Sequence, residues 1–173
     1  MAKRYVSIEA TDIKKFVNKL NNAGRGDFQK ELALFIEDIG EEFLRIVQDE
    51  IIRKQTVDTR LLLNSFQRSA DGNMFVLKEG DLIIEVGTNV EYASYVNDGH
   101  WLNPKGVQTR FVPGHWTGDR FIYEPGANTG MLLKQKWIEG SHYWDYAIDA
   151  MEKMLPGLME EKVQQWLQEY FSM

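Results

Sequence analysis

Phe28, Leu32, Phe35, Ile36, Ile39, Phe43, Ile46, Val47 and Ile51 recur at close to 3.6-residue spacing, the signature of one long helix with a single apolar side. Such a helix cannot stand alone in water, because its stripe has to be covered by a second layer of structure. Asp27 is placed to cap it, and the pattern ends near Lys54. Gly40 lies inside it and costs about 1 kcal/mol relative to alanine, which points to a close approach of another helix there. A second amphipathic segment runs from about Tyr143 to Phe171, with Ala147, Ala150, Met151, Met154, Leu158, Val163, Trp166, Leu167 and Tyr170 on its apolar side. Pro156-Gly157 interrupts it and predicts a kink or a split, since proline removes one intrahelical hydrogen bond.

Shorter elements fill the remainder. The first nine residues have a polar, strand-like character. Thr11 can cap a short helix through Ile13, Phe16, Val17 and Leu20, which the run from Asn21 to Gly26 then breaks. Asp58 or Thr59 can cap another short helix through Leu61, Leu62 and Ser65. Met74 to Lys78 and Leu82 to Val86 read as two strands joined at Gly80-Asp81, a tight hairpin. Tyr92, Tyr95 and Val96 suggest a helical turn that Gly99 terminates.

Between Gly87 and Trp144 the character changes. This stretch holds Trp101, Trp116, Trp137 and Trp144, most of the prolines and two copies of Gly-His-Trp. Long excursions of this kind are usually functional or disordered, and disordered segments are poor in aromatics. Arg110 to Pro113 and Arg120 to Tyr123 are possible strand edges. Trp137, Trp144 and Trp166 sit in or beside regular elements and are expected in the core. Trp101 and Trp116, with Arg110-Phe111, His115 and Arg120-Phe121 nearby, fit an interface, where aromatics and arginine dominate binding.

The chemistry the chain could carry is limited. There is no cysteine, so disulfides, thiolate metal sites and cysteine nucleophiles are excluded. The net charge of −6 argues against a dedicated DNA-binding domain, whose affinity rests on neutralising phosphates. No apolar run reaches the length of a membrane span, no apolar signal region opens the sequence, and synthesis in the cytosol is expected. His100, His115 and His142 lack the close spacing of metal ligands. No serine elbow, P-loop or dinucleotide fingerprint is present. Two functional alternatives to an interface remain: a carbohydrate-binding module using Trp101 and Trp116, and a metal-dependent hydrolase using the three histidines.

Three stretches together resemble a known family. Val57-Asp58-Thr59-Arg60-Leu61-Leu62-Leu63-Asn64-Ser65-Phe66 is similar to an Asp-Thr-Gly-x-Leu-x-x-Ser motif found after the long first helix of bacteriophage tail components typified by gene product ten of phage HK97. Val86-Gly87-Thr88-Asn89-Val90-Glu91-Tyr92-Ala93-Ser94-Tyr95-Val96-Asn97-Asp98-Gly99 resembles that family's Val-Gly-x-x-x-x-Tyr-Ala-x-x-Val-x-x-Gly signature. Gly140-Ser141-His142-Tyr143-Trp144-Asp145-Tyr146-Ala147 resembles its entry into the last helix. The motif positions are Asp58, Thr59, Leu61, Ser65, Val86, Gly87, Tyr92, Ala93, Val96, Gly99, Gly140, Trp144 and Ala147. Arg60 departs from the family glycine. His100 to Lys136 is longer than the usual basic loop, as in a subgroup from Bacillus-type phages and defective prophages.

The resemblance implies an α+β fold, with the long N-terminal helix and the C-terminal helix packed on a small antiparallel sheet. It implies one domain over residues 1–173, with an insertion loop at about 100–136. The expected role is a structural protein of the head–tail junction, without cofactor or catalysis, that forms a ring with copies of itself. Its partners would be the head–tail connector, tail terminator or tail tube proteins. Genomic DNA would pass without specific binding, and no membrane is involved. The protein would reside in the virion, after assembly in the host cytoplasm.

Overall fold

The computed structural model describes residues 4–9, 28–55, 60–78, 80 and 82–171. The elements are β1 (Arg4–Glu9), α1 (Phe28–Arg53), α2 (Leu61–Asn64), β2 (Asn73–Lys78), β3 (Ile83–Thr88), α3 (Ala93–Asp98), β4 (Gly99–Trp101), β5 (Thr109–Thr117), β6 (Arg120–Tyr123), β7 (Gly130–Lys134), β8 (Trp137–Glu139) and α4 (Tyr143–Phe171). The class is α+β, as expected. The expected helix from Thr11 to Leu20, the caps at Asp27, Asp58 and Thr59, the turn residue Asp81 and the side chain of Tyr170 lie outside the described residues.

The chain divides into two compact units, residues 1–97 with 141–173, and residues 98–140. In the first unit β3 is the centre of a three-stranded antiparallel sheet, flanked by β1 and β2. Alternation puts Ile84 and Val86 of β3 on the buried face. They join Leu32, Ile36, Ile39, Phe43, Val47 and Ile51 of α1 in one core with Ala147, Met151 and Trp166 of α4. Gly40 belongs to this layer. A Cβ there would come within 2.3 Å of Ile84 Cδ1, so the close approach is by the sheet and not by another helix. Without a side chain at Gly40, α1 can lie directly on β3.

An aromatic cluster fills one end of this core. Phe43 meets Trp144 edge to face at 5.1 Å, and Phe66 lies 6.1 Å from Tyr143 and 6.0 Å from Trp144. Trp166 meets Phe35 in the same way at 6.1 Å. On the outside, Arg68 binds both Glu41 and Glu37 on α1, and these hydrogen bonds hold its pKa above the ordinary arginine value. Helix α4 is continuous through Pro156, so the expected split does not occur. Pro156 and Gly157 are both exposed, so water can reach the carbonyl that proline leaves without a donor. Met154 and Leu167, expected on the covered side of α4, are substantially exposed.

Candidate functional site

The resembling motifs turn out to be packing devices. Ser65 is fully buried, and its Oγ donates to the Leu62 carbonyl at 2.8 Å and lies 2.8 Å from Thr88 Oγ1. Thr88 Oγ1 in turn accepts from the Val90 N–H at 3.1 Å. The first motif is thereby fastened to the start of the second. Leu61 was expected at the motif's leucine position, but it is 50% exposed, whereas Leu62 is 4% exposed and sits in the core. The motif spacing, counted from Asp58, also falls on Leu62. Arg60, where the family has glycine, keeps a left-handed conformation with φ 61°. The glycine-type turn survives the substitution, with a Cβ in a region that disfavours one.

The second and third motifs are joined by Asn97, a buried residue that sequence reading did not single out. Its Oδ1 accepts from the Trp144 N–H at 2.8 Å, and its Nδ2 donates to Asp145 Oδ2 at 3.0 Å. It therefore caps α4 from a distant segment, satisfying a helix N–H that has no partner within the helix. The backbone follows suit: Ser141 N–H donates to the Val96 carbonyl at 2.9 Å, and His142 N–H to the Asn97 carbonyl at 3.0 Å. Ala93, Trp144 and Ala147 are buried. The Val96 and Asn97 carbonyls of α3 accept the backbone hydrogen bonds that close this junction. The one available signal was an asparagine just ahead of a glycine helix stop. Tyr92, by contrast, is at the surface.

Residues 98–140 are built differently. Gly99 has φ 84°, and a Cβ there would lie 2.5 Å from the Ile138 carbonyl oxygen, so only glycine permits the β4–β8 pairing. Strand β5 pairs through Thr109–Pro113 with β7 and through Gly114–Thr117 with β6. Gly118 (φ 60°) occupies the first central position of the two-residue β5–β6 turn, as a type II′ hairpin requires. The expected strand edges are therefore full strands in a small β unit. A polar pin holds it: the buried Asn103 donates from N–H to Gln135 Oε1 at 2.9 Å and from Nδ2 to the Leu133 carbonyl at 2.8 Å. None of the buried hydrophobic core residues comes from this stretch.

Its large apolar side chains are outside instead. Trp101 is 57% exposed and Trp116 58% exposed, and Phe111 and Leu132, directly opposite in register, are exposed too. Trp137 was expected in the core. It is 37% exposed and meets Trp101 edge to face at 5.4 Å, because β4–β8 register places the two rings opposite each other. Trp116 meets Phe121 in the same manner at 5.4 Å, near the hairpin tip where Arg120 is exposed. Arg110 is exposed on β5. Of the expected interface set, the hairpin brings Trp116, Phe121 and Arg120 together, with His115 on the same strand, while Arg110 and Phe111 lie further along it.

The metal reading gains nothing. Among the described residues no three histidine or carboxylate side chains converge on a point. His115 Nδ1 lies 3.3 Å from Glu124 Oε2, and His142 Nδ1 lies 3.2 Å from Asp145 Oδ2. For the carbohydrate reading, Trp101 and Trp116 each meet a neighbouring ring edge to face, so neither pair forms a flat coplanar platform. Among the described residues, no helix is long and apolar enough to cross a membrane.

Residues 14–99 match the family described as "Bacteriophage HK97-gp10, putative tail-component". That match takes in the first two motifs and stops short of the third. The chain is 49% identical over 160 residues to the uncharacterized protein YqbI of Bacillus subtilis strain 168, covering 91% of this chain and 96% of that protein. It is 44% identical over 155 residues to the phage-like element PBSX protein XkdI of the same strain, covering 90% and 95%. These alignments leave out far fewer residues than the stretch 98–140 contains, so both relatives share that region at least in large part. No solved structure matches the chain.

Proposed function

The chain belongs to the HK97-gp10-like family of bacteriophage tail components, and from that premise we propose that it is a ring-forming tail completion protein of the head–tail junction. The observation that carries this reading is the β unit of residues 98–140, which has no buried hydrophobic residue and yet exposes Trp101, Phe111, Trp116 and Leu132. A unit with that distribution gains little from its own burial, and large exposed apolar patches mark interaction sites. Contact with neighbouring copies and with connector, terminator or tube proteins would cover these side chains. The net charge of −6 suits a channel through which DNA slides without binding. The protein then acts by geometry and contact alone, with no reaction to catalyse.

The test combines particle composition with oligomeric state. Purified tailed particles are expected to contain the protein in a fixed number of copies at the neck, detectable by mass spectrometry and gold labelling. The chain is expected to form closed oligomers, alone or with its connector, by native mass measurement. Absence from particles together with a strictly monomeric chain would overturn the proposal.

A further inference from the structure

In the first unit the three-stranded sheet ends on two edges, the outer sides of β1 and β2, and among the described residues no strand pairs with either. An open edge presents a row of backbone N–H and C=O groups that another strand can take up. Folded chains usually blunt such an edge with a bulge, a proline, charge along the strand or a very short strand. Neither edge here carries such a device. Both strands are six residues long and pair one to one with β3, without a bulge. Neither contains proline, and their charged residues, Arg4, Glu9 and Lys78, stand only at the strand ends. Val76, in the middle of β2, is 44% exposed.

Register makes the two edges fit one another. Strands β1 and β2 are both antiparallel to β3, so they run in the same direction. Rows of like character cross the sheet: Val6, Val86 and Phe75 share one, and Ile8, Ile84 and Leu77 another. We propose that the outer edge of β2 in one copy pairs in parallel with the outer edge of β1 in the next, with Val76 facing Ser7, so that these rows continue from copy to copy. A slip of one residue would set Phe75 and Leu77 against positions of the opposite face, and alternation resists that. Every copy supplies one edge of each kind. Head-to-tail pairing therefore covers both at once, and a closed ring leaves none over. A strand from a different protein on either edge would leave the other one open, which is why the occupant is a second copy. This joint rests on the ring reading above and adds a contact between copies to those expected of residues 98–140.

The chain has no cysteine, so introduced thiols report the joint without background. Val76→Cys and Ser7→Cys in one chain stand in the same row on opposite sides of Glu85. Two strand spacings, about 9.6 Å, separate them, and a disulfide does not reach across more than about 7 Å between Cα atoms. They therefore cannot bond within one copy. In the joint they face each other one spacing apart, about 4.8 Å, which a disulfide spans. Cells assembling particles with the full-length double variant are oxidised mildly and run on non-reducing gels. The expected product is a ladder of dimer, trimer and larger species, with none from either single variant. Dimers from Val76→Cys alone would show β2 meeting β2 and overturn the joint. No ladder from the double variant, where the unaltered chain is found in particles as a closed oligomer, also overturns the joint and leaves the ring standing. An unaltered chain that is strictly monomeric and absent from particles overturns the ring reading itself. Val76→Lys gives a second readout. A charge in mid-edge is expected to weaken self-association at least about tenfold, with the unfolding midpoint unchanged because the position is at the surface. Undiminished self-association of this variant would exclude the joint.

Discussion

Residues 28–97 with 141–171, and residues 98–140, use their tryptophans in opposite ways. In the first unit Phe43, Phe66, Tyr143, Trp144 and Trp166 are inside, packed edge to face across α1, α4 and the turn after α2. In the second, Trp101 and Trp116 form pairs of the same geometry at the surface. The first unit has an apolar core, and the second is fastened by Asn103, Gln135 and strand pairing. The family motifs fall almost wholly in the first. The contrast separates a scaffold built by the motifs from a β unit whose exposed rings, in the function proposed above, make the contacts with partners.

The contrast is most exposed to refutation at the buried rings. Trp144→Ala and Trp166→Ala are each expected to destabilise the chain by about 3–5 kcal/mol, read by urea or guanidinium unfolding. A small effect at Trp144 would mean that the motif cluster is not the core. Asn97→Ala comes next, at about 2–3 kcal/mol, because it removes a cap and leaves the Trp144 N–H buried without an acceptor. If its loss were harmless, the junction between the second and third motifs would not depend on this side chain.

Trp101→Ala and Trp116→Ala sharpen the comparison from the other side. Each should cost the folded chain no more than about 1 kcal/mol, roughly the worth of one aromatic pair. Assembly should lose about 2 kcal/mol or more of contact energy, measured by incorporation into particles or by oligomer dissociation. A large fall in unfolding midpoint would place these rings in the first category instead. The smallest effect expected is a gain. Arg60→Gly relieves a Cβ in the left-handed region, worth about 1–2 kcal/mol, and gives back about 0.5–1 kcal/mol in chain entropy. Net stabilisation of up to about 1.5 kcal/mol in the same unfolding assay would show that the family turn is intact here.

Period made the scaffold readable. The stripe on α1, the paired strands around Gly80 and the span of α4 are local signals, and each appears where its spacing put it. What escaped were effects that depend on long-range partners. Asn97 looks like any polar residue at a helix end until Trp144, far along the chain, is brought onto its Oδ1. Trp137 read as core because it borders a regular element. Its actual neighbour was set by a β4–β8 pairing whose strands are only three residues long, too short to show periodicity. Gly40 announced a close approach without saying to what, since a bare backbone suits a sheet as well as a helix. The exposed aromatics of residues 98–140 were legible as a group, and composition alone could not say which of them the fold would cover.

Oxidative footprinting of the tryptophans, in the free chain and in assembled particles, addresses the separation of scaffold from contact surface most directly. Trp144 and Trp166 are expected to be protected in both states, and Trp101 and Trp116 reactive in the free chain and protected in particles. Equal reactivity of Trp101 and Trp116 in the two states would contradict the assignment of residues 98–140 as the contact surface.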